Sequence, residues 1–285
     1  MKLAGTVILY YPGTEVIFNI QSYVTNLECL YVIDNSEVKN EALVQRITEL
    51  KKTIYLHDGE NKGIAVRLNQ AAKLAINDGY TLLLTMDQDS HFTQNNIEAY
   101  LKCISSFENK GKVSMFGVQY IDKQSENDAC LPQLTEKLIT SGSFVNLGLF
   151  ELTGGFDENL FIDEVDLEYC YRSIKKGLQI IQFNNIFLEH HLGNKSYHRS
   201  LKNLRKTPRV LHSPTRIYYM TRNYYYLNEK YKYLFPQDTT RRKKSLINRI
   251  KNNILYGKQK LKTIKYIFKA IQDYKKKNMG KMTGS

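Results

Sequence analysis

Residues 81–89 have the sequence TLLLTMDQD, an apolar run that ends in two carboxylates separated by one residue. A short, continuous apolar run of this kind predicts a strand that is buried on both faces, as in a parallel sheet. Similar runs precede it, GTVILYY at 5–11 and LYVI at 30–33, and segments with helical periodicity lie between the runs. Strands that alternate with helices of this length predict an α/β fold, in which helices cover the faces of a parallel sheet.

The predicted elements extend from this run toward both ends of the chain. Apolar runs predict strands at 5–11, 30–33, 53–57, 81–86, 113–120, 142–147 and 179–189, and helical periodicity predicts helices at 41–50, 64–75, 95–107 and 163–176. From Pro214 onward the chain is aromatic and basic, and apolar residues at helical spacing predict one long helix over 245–277. We therefore expect a first domain over 1–212 and a basic helical region over 213–285.

The charge is divided unevenly along the chain. The net charge of +13 is the balance of −9 over residues 1–193 and +22 over residues 194–285. This division excludes a generally basic nucleic-acid-binding protein, and it predicts a tail that meets phosphates, for example at an anionic membrane surface. The 42% hydrophobic content excludes wholesale disorder. No apolar run approaches the roughly 18 residues that cross a bilayer.

The N-terminus and the cysteines bear on the compartment. The N-terminal segment has one Lys, a short strand-like run and no small-residue cleavage site, so we expect no secretory signal. The four cysteines are widely spaced and form no CxxC pair, which favours reduced thiols over a disulfide framework or a zinc site. They are Cys29, Cys103, Cys130 and Cys170. Both observations favour a cytoplasmic protein.

Polar residues follow the predicted strands at their carboxyl ends. In an open α/β sheet these ends meet at one edge, where ligands bind. We therefore expect one functional site to gather the residues that follow the strands. They are Tyr11-Pro12, Asp34-Asn35, Asp58–Lys62 and Asp87–Asp89.

Asp87 and Asp89 have the spacing of a metal-binding pair. Alternation along an extended backbone places both carboxylates on the same side, close enough to share one divalent cation. Hard oxygen ligands suit Mg²⁺ or Mn²⁺, which keep coordination positions for substrate phosphates. The alternative is a solvated turn, but the position after an apolar strand favours the metal site.

Other segments each allow a binding interpretation and a structural one. Asp34 can hydrogen-bond a base or ribose, or it can close an Asx turn. The amides of 61–63 can meet a diphosphate at a helix N-terminus, or they can form an ordinary cap. The four carboxylates in 163–168 can include a general base, or they can favour the helix dipole. His190 can complete a metal site or serve a structural role.

Together these residues resemble the family 2 inverting glycosyltransferases of the GT-A fold, over roughly residues 3–195. VILYYP resembles the first nucleotide-binding strand, although the family usually has Thr and Asn where Leu9 and Tyr11 stand. VIDNS, ENKGIAVRLNQA and MDQD resemble the base-binding strand end, the N-x-G-x-A helix start and the metal-binding D-x-D. The resemblance implies a Rossmann-like mixed, mostly parallel sheet flanked by helices. It also implies which residues bind the nucleotide sugar: Tyr11, Asp34, Asn61, Gly63, Asn69 and Asp87.

The later part of the match implies catalytic and acceptor residues. GGFDENLFIDEVDLEYCYRSIKKG at 154–177 is similar to the family's acceptor-side and catalytic-base segment. Aligning Arg172 with the Arg of that segment puts Asp166 at the base position, and Val165 stands where the family usually has an acid. EHHLGNKS resembles the H-x-x-G segment, so the implied metal ligands are Asp87, Asp89 and His190. The implied acceptor-side residues are Gly142, Asp163 and Glu168.

Two segments narrow the resemblance to a rhamnosyltransferase-like branch. Residues 161–172 nearly match its F-I-D-x-V-D-x-E-W-C-L-R pattern, with Tyr169 in place of Trp. HSPTRIYYMTRNYYYL at 212–227 resembles the S-P-x-R-x-Y-Y-x-x-R-N block of bacterial rhamnosyltransferases, and AIQDYKKKNMGKM at 270–282 is similar to their tails. The block implies donor contacts from Arg216 and Arg222. The implied donor is dTDP-L-rhamnose, and another nucleotide sugar, such as a UDP-sugar, is the alternative.

The resemblance implies a metal-dependent, inverting transfer of a sugar to a saccharide or lipid-linked acceptor in bacterial surface-polysaccharide synthesis. A sugar-phosphate nucleotidyltransferase would need a Gly- and Arg-rich loop after the first strand, and this chain has no Arg before Arg46. The other alternative is a non-catalytic polybasic membrane- or RNA-binding protein, against which the full set of carboxylates argues. We expect no nucleic-acid partner, and a protein that is cytoplasmic or peripheral on the inner face of the cell membrane.

Overall fold

A computed structural model describes residues 1–93, 96–120, 129–190, 196–199 and 206–283, with the backbone alone at 190 and 196–199. Its strands are β1 (Leu3–Leu9), β2 (Cys29–Asp34), β3 (Thr53–His57), β4 (Leu82–Asp87), β5 (Ser90–Phe92), β6 (Val113–Gln119), β7 (Pro132–Leu134), β8 (Ser143–Asn146), β9 (Gln179–His190), β10 (Ser196–Arg199) and β11 (Lys206–Arg209). Its α-helices are α1 (Val16–Gln21), α2 (Glu41–Thr48), α3 (Ile64–Asn77), α4 (Asn96–Ser106), α5 (Phe150–Thr153), α6 (Val165–Lys175), α7 (Pro214–Tyr231), α8 (Pro236–Tyr256) and α9 (Lys260–Lys275).

The strands β1 to β9 form one mixed sheet. Its order is β3-β2-β1-β4-β8-β6-β9-β5, and β7 also pairs with β9. β3, β2, β1 and β4 are parallel to one another, as are β6 and β9, whereas β8 runs antiparallel to β4 and β6. The predicted α/β fold with a mixed sheet is therefore confirmed, and all seven strands predicted from apolar runs are present.

The central strands are buried because their sequences are apolar on both faces. Every residue of β1 and β2 is buried, as a sheet covered on both sides requires. α3 packs on β1, β2 and β4, and alanines on its buried face allow it to approach closely. The parallel part of the sheet is therefore a firm support for the loops that leave its carboxyl edge.

The chain divides into two compact units. The first comprises residues 1–158 and 165–191, and the second comprises residues 159–164 and 192–285. The predicted boundary between 212 and 213 therefore lies inside the second unit, which also includes residues 159–164, the last two of which were predicted to begin the acidic helix. The described part of the second unit contains the antiparallel pair β10–β11 and the helices α7, α8 and α9.

The single long helix predicted over 245–277 is wrong. Two helices cover this region, and the chain between them is not helical at 257–259. Gly257 has an extended ψ of 151°, and a Cβ there would lie 2.3 Å from the carbonyl oxygen of Asn253, so the break depends on a glycine. α9 packs on α7 through Tyr266 and Ala270. Within the described ranges, no helix is both long enough and apolar enough to cross a membrane.

Two of the four cysteines form a disulfide. Cys103 in α4 is bonded to Cys130, with 5.5 Å between their Cα atoms, so the expectation of reduced thiols is wrong for this pair. Sequence spacing could not reveal it, because α4 and β7 are distant in sequence but both pack against β9. Cys29 and Cys170 are buried free thiols. The cysteines therefore give no support to a reducing compartment.

Candidate donor and catalytic site

The ends of four parallel strands meet at one edge of the sheet, as the sequence predicts. In the strand register, Asp34 lies opposite Leu9 and His57, and Asp87 lies opposite Ile8. The loops that follow these strands therefore leave the sheet side by side. This edge brings together the segments that contain Tyr11, Asp34, Asn61 and Asp87.

The backbone of the Asp87-Gln88-Asp89 segment is held on several sides. The amide of Asp87 donates to Ser141 Oγ at 3.1 Å. Gln88 Oε1 accepts from the Tyr10 amide at 2.8 Å, and its carbonyl accepts from Asn19 Nδ2 at the same distance. The two flanking carboxylates are half-buried. A fixed backbone with two partly exposed carboxylates suits a divalent cation, because hard oxygen ligands are then set in place before the ion binds.

The third predicted metal ligand is described through its backbone only. His190 lies opposite Ser90 in the antiparallel pairing of β5 with β9, so its backbone is next to the residue that follows Asp89. Among the residues whose side chains are described, no three His, Cys, Asp or Glu side chains group as a metal site. A metal site made of Asp87, Asp89 and His190 therefore stays a prediction.

Asp34 is buried and both of its carboxylate oxygens accept hydrogen bonds. Oδ1 accepts from the Ser36 amide at 2.9 Å, which forms the Asx turn, and Oδ2 accepts from the Tyr55 hydroxyl at 2.7 Å. Burial and the bond to Asp34 raise the pKa of Tyr55, so this hydroxyl stays a donor. Next to this turn, Tyr11 has a positive φ of 43°, and its side chain is exposed. The structural interpretation of Asp34 is thus present, and its contact with a base stays a prediction.

The N-terminus of α3 is built on a polar network that sequence reasoning missed. Asn35 Oδ1 accepts from the Lys62 amide at 2.8 Å and from Arg67 Nε at 2.9 Å, and Asn35 Nδ2 donates to Asn61 Oδ1 at 2.9 Å. Hydrogen bonds from Arg67 hold the pKa of Asp58 well below its usual range. The sequence feature that could have indicated this network was the position of Asn35, directly after Asp34 at the end of a strand.

Gly63 occupies the cap position of α3 with a φ of +84°, a backbone conformation that favours glycine. No described side chain caps this helix end. Its first amides are therefore available to an anionic group. The amides of Lys62 and Gly63 donate to Asn35 Oδ1 and Asn61 Oδ1, and a diphosphate contact at 61–63 stays a prediction.

Tyr120 links two of the predicted acidic residues. Its hydroxyl donates to the Ser141 carbonyl at 2.6 Å. Burial, followed by the charges of Asp87 and Asp166, raises the pKa of Tyr120 well above its ordinary value. Both carboxylates are therefore close enough to act on one phenol. Asp87 and Tyr120 thus share Ser141 as a hydrogen-bond partner, and Tyr120, at the end of a predicted strand, was not expected to take part.

Gly142 lies in the turn that connects this group to β8. Its φ is +71°, and a Cβ would lie 2.9 Å from Leu188 and 3.0 Å from Val118. Its amide donates to the Thr85 carbonyl at 2.8 Å. The turn therefore requires glycine and packs tightly next to Ser141. Contact between Gly142 and an acceptor stays a prediction.

Asn69 and Glu168 hold the segment before the acidic cluster. Asn69 Oδ1 accepts from the Phe156 amide at 2.7 Å, and its Nδ2 donates to the Phe156 carbonyl at 2.9 Å. Glu168 is fully buried and pairs with Arg172 at 2.6 Å, and Arg172 also donates to the carbonyls of Thr153 and Gly155. Both predicted ligands have structural contacts. An acceptor contact for Glu168 stays a prediction that requires this ion pair to open.

The predicted helix over 163–176 begins two residues later than expected. α6 starts at Val165, because Asp163 and Glu164 both have positive φ, 65° and 68°. Asp166 lies in the first turn of α6, and its Oδ1 accepts from the Leu167 amide at 2.8 Å. The predicted base thus lies at the start of a helix, directly after two left-handed residues.

Within the second unit, two residues that were predicted to bind substrates, Arg216 and Asp163, contact each other. Arg216 donates to Asp163 through both Nε and Nη2, the latter at 2.8 Å. Arg222 is fully buried. It donates to the carbonyls of Asn278 and Gly280, and it lies over the rings of Tyr218 and Tyr219. The donor contacts predicted for these two arginines stay predictions, and the contacts described here are internal to the second unit.

The mixed sheet, flanked by helices and with loops gathered at the carboxyl edge of its parallel strands, has the fold of the GT-A glycosyltransferases. Residues 15–145 match the sequence profile of the family described as Glycosyl transferase family 2. The resemblance to family 2 glycosyltransferases found in the sequence is therefore confirmed over these residues, and the match supports a glycosyltransferase activity.

One relative agrees with this family, and solved structures agree with the fold. The chain is 25% identical over 216 residues to dTDP-rhamnosyl transferase RfbF of Shigella flexneri, covering 68% of this chain and 71% of the relative. TarS 1–349 of S. aureus, solved in complex with UDP-GlcNAc, is 12% identical with a TM-score of 0.54, covering 96% of this chain and 80% of that one. GalNAc-T7 with UDP, GalNAc and Mn²⁺ has a TM-score of 0.56 at 12% identity, covering 67% of this chain. This chain spans 44% of GalNAc-T7.

Proposed function

We propose that this glycosyltransferase moves L-rhamnose from dTDP-L-rhamnose to a saccharide acceptor on a lipid, with inversion, during surface-polysaccharide synthesis. The observation that carries the catalytic part is the end of β4 at Asp87, where the Asp87 amide and the Tyr120 hydroxyl both donate to Ser141. The charges of Asp87 and Asp166 also both raise the pKa of Tyr120. Asp87 would serve the leaving group and Asp166 the acceptor. The donor is proposed from the similarity to dTDP-rhamnosyl transferase RfbF and from the HSPTRIYYMTRN block.

Asp166 is proposed as the general base. The acceptor hydroxyl oxygen forms a bond to the anomeric carbon, the bond from that carbon to the diphosphate oxygen breaks, and Asp166 takes the hydroxyl proton. Direct displacement from the opposite face inverts the anomeric centre, and no bond between sugar and enzyme forms. The bond from the Leu167 amide to Asp166 Oδ1 supports this role, because it fixes the orientation of the carboxylate at the start of α6.

Asp87 and Asp89 are proposed to hold Mg²⁺ or Mn²⁺, with His190 as a further ligand. Their carboxylates fit such an ion because both are half-buried and belong to a backbone fixed by Ser141 and Asn19. When bound, the ion would supply positive charge to the departing diphosphate. The first amides of α3, which follow Gly63, would bind the same diphosphate, and Asp34 and Tyr11 would lie at the nucleoside end.

A panel of nucleotide sugars tests the donor proposal. We expect dTDP-L-rhamnose to bind most tightly and to be hydrolysed slowly without acceptor, in a reaction that requires the divalent ion. dTDP-glucose keeps the nucleotide and UDP-GlcNAc changes both parts, so calorimetric titration of the three separates recognition of the sugar from recognition of the base. Tighter binding of a UDP-sugar than of both dTDP-sugars would overturn the proposed donor.

The basic second unit is proposed to hold the enzyme at an anionic membrane surface on the cytoplasmic side. Leu261 and Phe268 are 84% and 64% exposed on α9, and with Lys265 between them they follow the spacing of one helix face. Exposed apolar side chains beside lysines suit a headgroup layer. Each basic residue near such a surface contributes about 1 kcal/mol.

Replacing both exposed apolar residues tests the membrane proposal. We expect the variant Leu261→Ser with Phe268→Ser to partition about tenfold less onto anionic vesicles, because two side chains lose their apolar contact. Binding should also weaken with salt. Val38, equally exposed at 70% in the first unit, gives the control variant Val38→Ser. Co-sedimentation that is the same for all three proteins, or that shows no preference for anionic lipid, would contradict the proposal.

A further inference from the structure

The loop directly before the proposed base has an unusual backbone. Asp163 and Glu164 are consecutive residues with positive φ, 65° and 68°. Side chains other than glycine rarely adopt this region, and they persist there only where surrounding contacts impose it. The chain enters α6 at the next residue and reaches Asp166 one residue later. The conformation of these two residues therefore sets where the first turn of α6, and Asp166 with it, begins.

Asn223 holds this loop through its backbone. Its side chain is fully buried, and its Nδ2 donates to the carbonyl of Ile162 at 2.8 Å and to that of Asp163 at 3.1 Å. One amide group thus binds two successive carbonyls at the point where the chain turns into the left-handed conformation. Both carbonyls would lose these donors without the Asn223 side chain.

Charged residues of the second unit hold the side chains of the same loop. Arg216 pairs with Asp163, and Arg242 pairs with Glu164 at 2.8 Å. Phe161 stacks on Tyr219 with ring centroids 5.2 Å apart. Tyr219 and Asn223 lie three and seven residues after Arg216 on α7, so all three project from one face of that helix. The segment resembling the rhamnosyltransferase block thus supplies a surface against which the loop is shaped.

We propose that Asn223 is a positioning residue for catalysis, acting through the loop 162–164 on the placement of Asp166. This inference rests on the proposed role of Asp166 as the base. Without the Asn223 amide, the two left-handed residues would relax toward the ordinary helical or extended regions, and the first turn of α6 would shift. A shift of about 1 Å at a reacting group lowers a rate about 100-fold.

The variant Asn223→Ala tests this proposal. We expect kcat to fall about 10- to 100-fold, while the donor dissociation constant and the KM for acceptor change less than threefold. Asn228→Ala is the matched control, because Asn228 lies on the same helix and lines a groove with α8 and α9. Should Asn223→Ala lower the folded fraction, Asn223→Ser, which keeps one donor, is compared in the same way, and its kcat should lie between those of the wild type and Asn223→Ala.

Rescue by glycine separates positioning from a general loss of structure. Glycine adopts positive φ without strain. We therefore expect the double variant Asn223→Ala with Glu164→Gly to have a kcat at least threefold higher than that of Asn223→Ala alone. This rescue does not depend on an increase in thermal stability. Failure of rescue, or loss of donor affinity in parallel with kcat, would overturn the positioning role. Near-normal turnover of Asp166→Asn would instead overturn the base assignment, and this inference with it. An inactive Asp166→Asn with a normal Asn223→Ala would overturn this inference alone.

Discussion

The Asp166→Asn variant is expected to transfer sugar about 10²–10⁴-fold more slowly than the wild type, because an amide keeps the shape of the side chain but cannot take the proton of the acceptor hydroxyl. Donor binding should stay within about twofold, since Asp166 is assigned to the acceptor. Single-turnover transfer measured at saturating donor, together with calorimetric titration of the donor, gives both quantities.

Two further variants make this result specific to the base. Glu151→Gln removes a charge from an exposed residue of α5 and should leave transfer unchanged. Asp163→Asn removes the carboxylate that is bonded to Arg216. If Asp166→Asn keeps near-normal turnover while Asp163→Asn loses it, the base is Asp163 and the role assigned to Asp166 is wrong.

The Asp89→Ala variant is expected to lose about 10²–10³-fold in transfer rate, together with the part of its donor affinity that depends on the divalent ion. The reason is that a metal ion contributes several kcal/mol to charge stabilisation at a leaving phosphate, and each 1.36 kcal/mol is a factor of ten in rate. Titration of the donor with and without Mn²⁺ measures the effect. In the absence of the ion, wild type and variant should bind the donor with similar affinity.

Removal of the metal from the wild type provides the complementary experiment. EDTA should abolish transfer, and either Mg²⁺ or Mn²⁺ in excess should restore it. Glu98→Ala, at an exposed position of α4, controls for a general loss of negative charge. Activity that persists in EDTA would show that the ion is dispensable, and that basic residues such as Lys62 carry the charge of the leaving group.

The strands and their carboxyl ends could be predicted because each depends on a local signal. Thr53–His57 was predicted with the bounds that the structure has. TLLLTMDQD was predicted to end in its carboxylates at the sheet edge, and β4 ends at Asp87. A buried strand needs a continuous apolar run, and the chain must become polar where it leaves the sheet. Both requirements can be recognised from consecutive residues of the sequence.

The features that were missed depend on contacts between distant residues. Asp163 and Glu164 have positive φ because of partners about 60 residues away, such as the buried Asn223. The local sequence alone favours a helix that begins at Asp163, and the helix start was therefore predicted two residues too early. Tyr120 was placed at the end of a strand, but its relation to Asp87 and Asp166 requires the order of the sheet. The Cys103–Cys130 disulfide likewise requires knowing that α4 and β7 share β9 as a neighbour.

The assignment of residues 159–164 to the second unit bears on how such enzymes can be recombined. A chimera that exchanges the C-terminal region at a single junction would separate Asp163 and Glu164 from the arginines and the asparagine that shape them. A working exchange has to carry two pieces, the C-terminal region and this hexapeptide. A change in one piece then requires a matching change in the other, although the 27 residues 165–191 separate them in sequence.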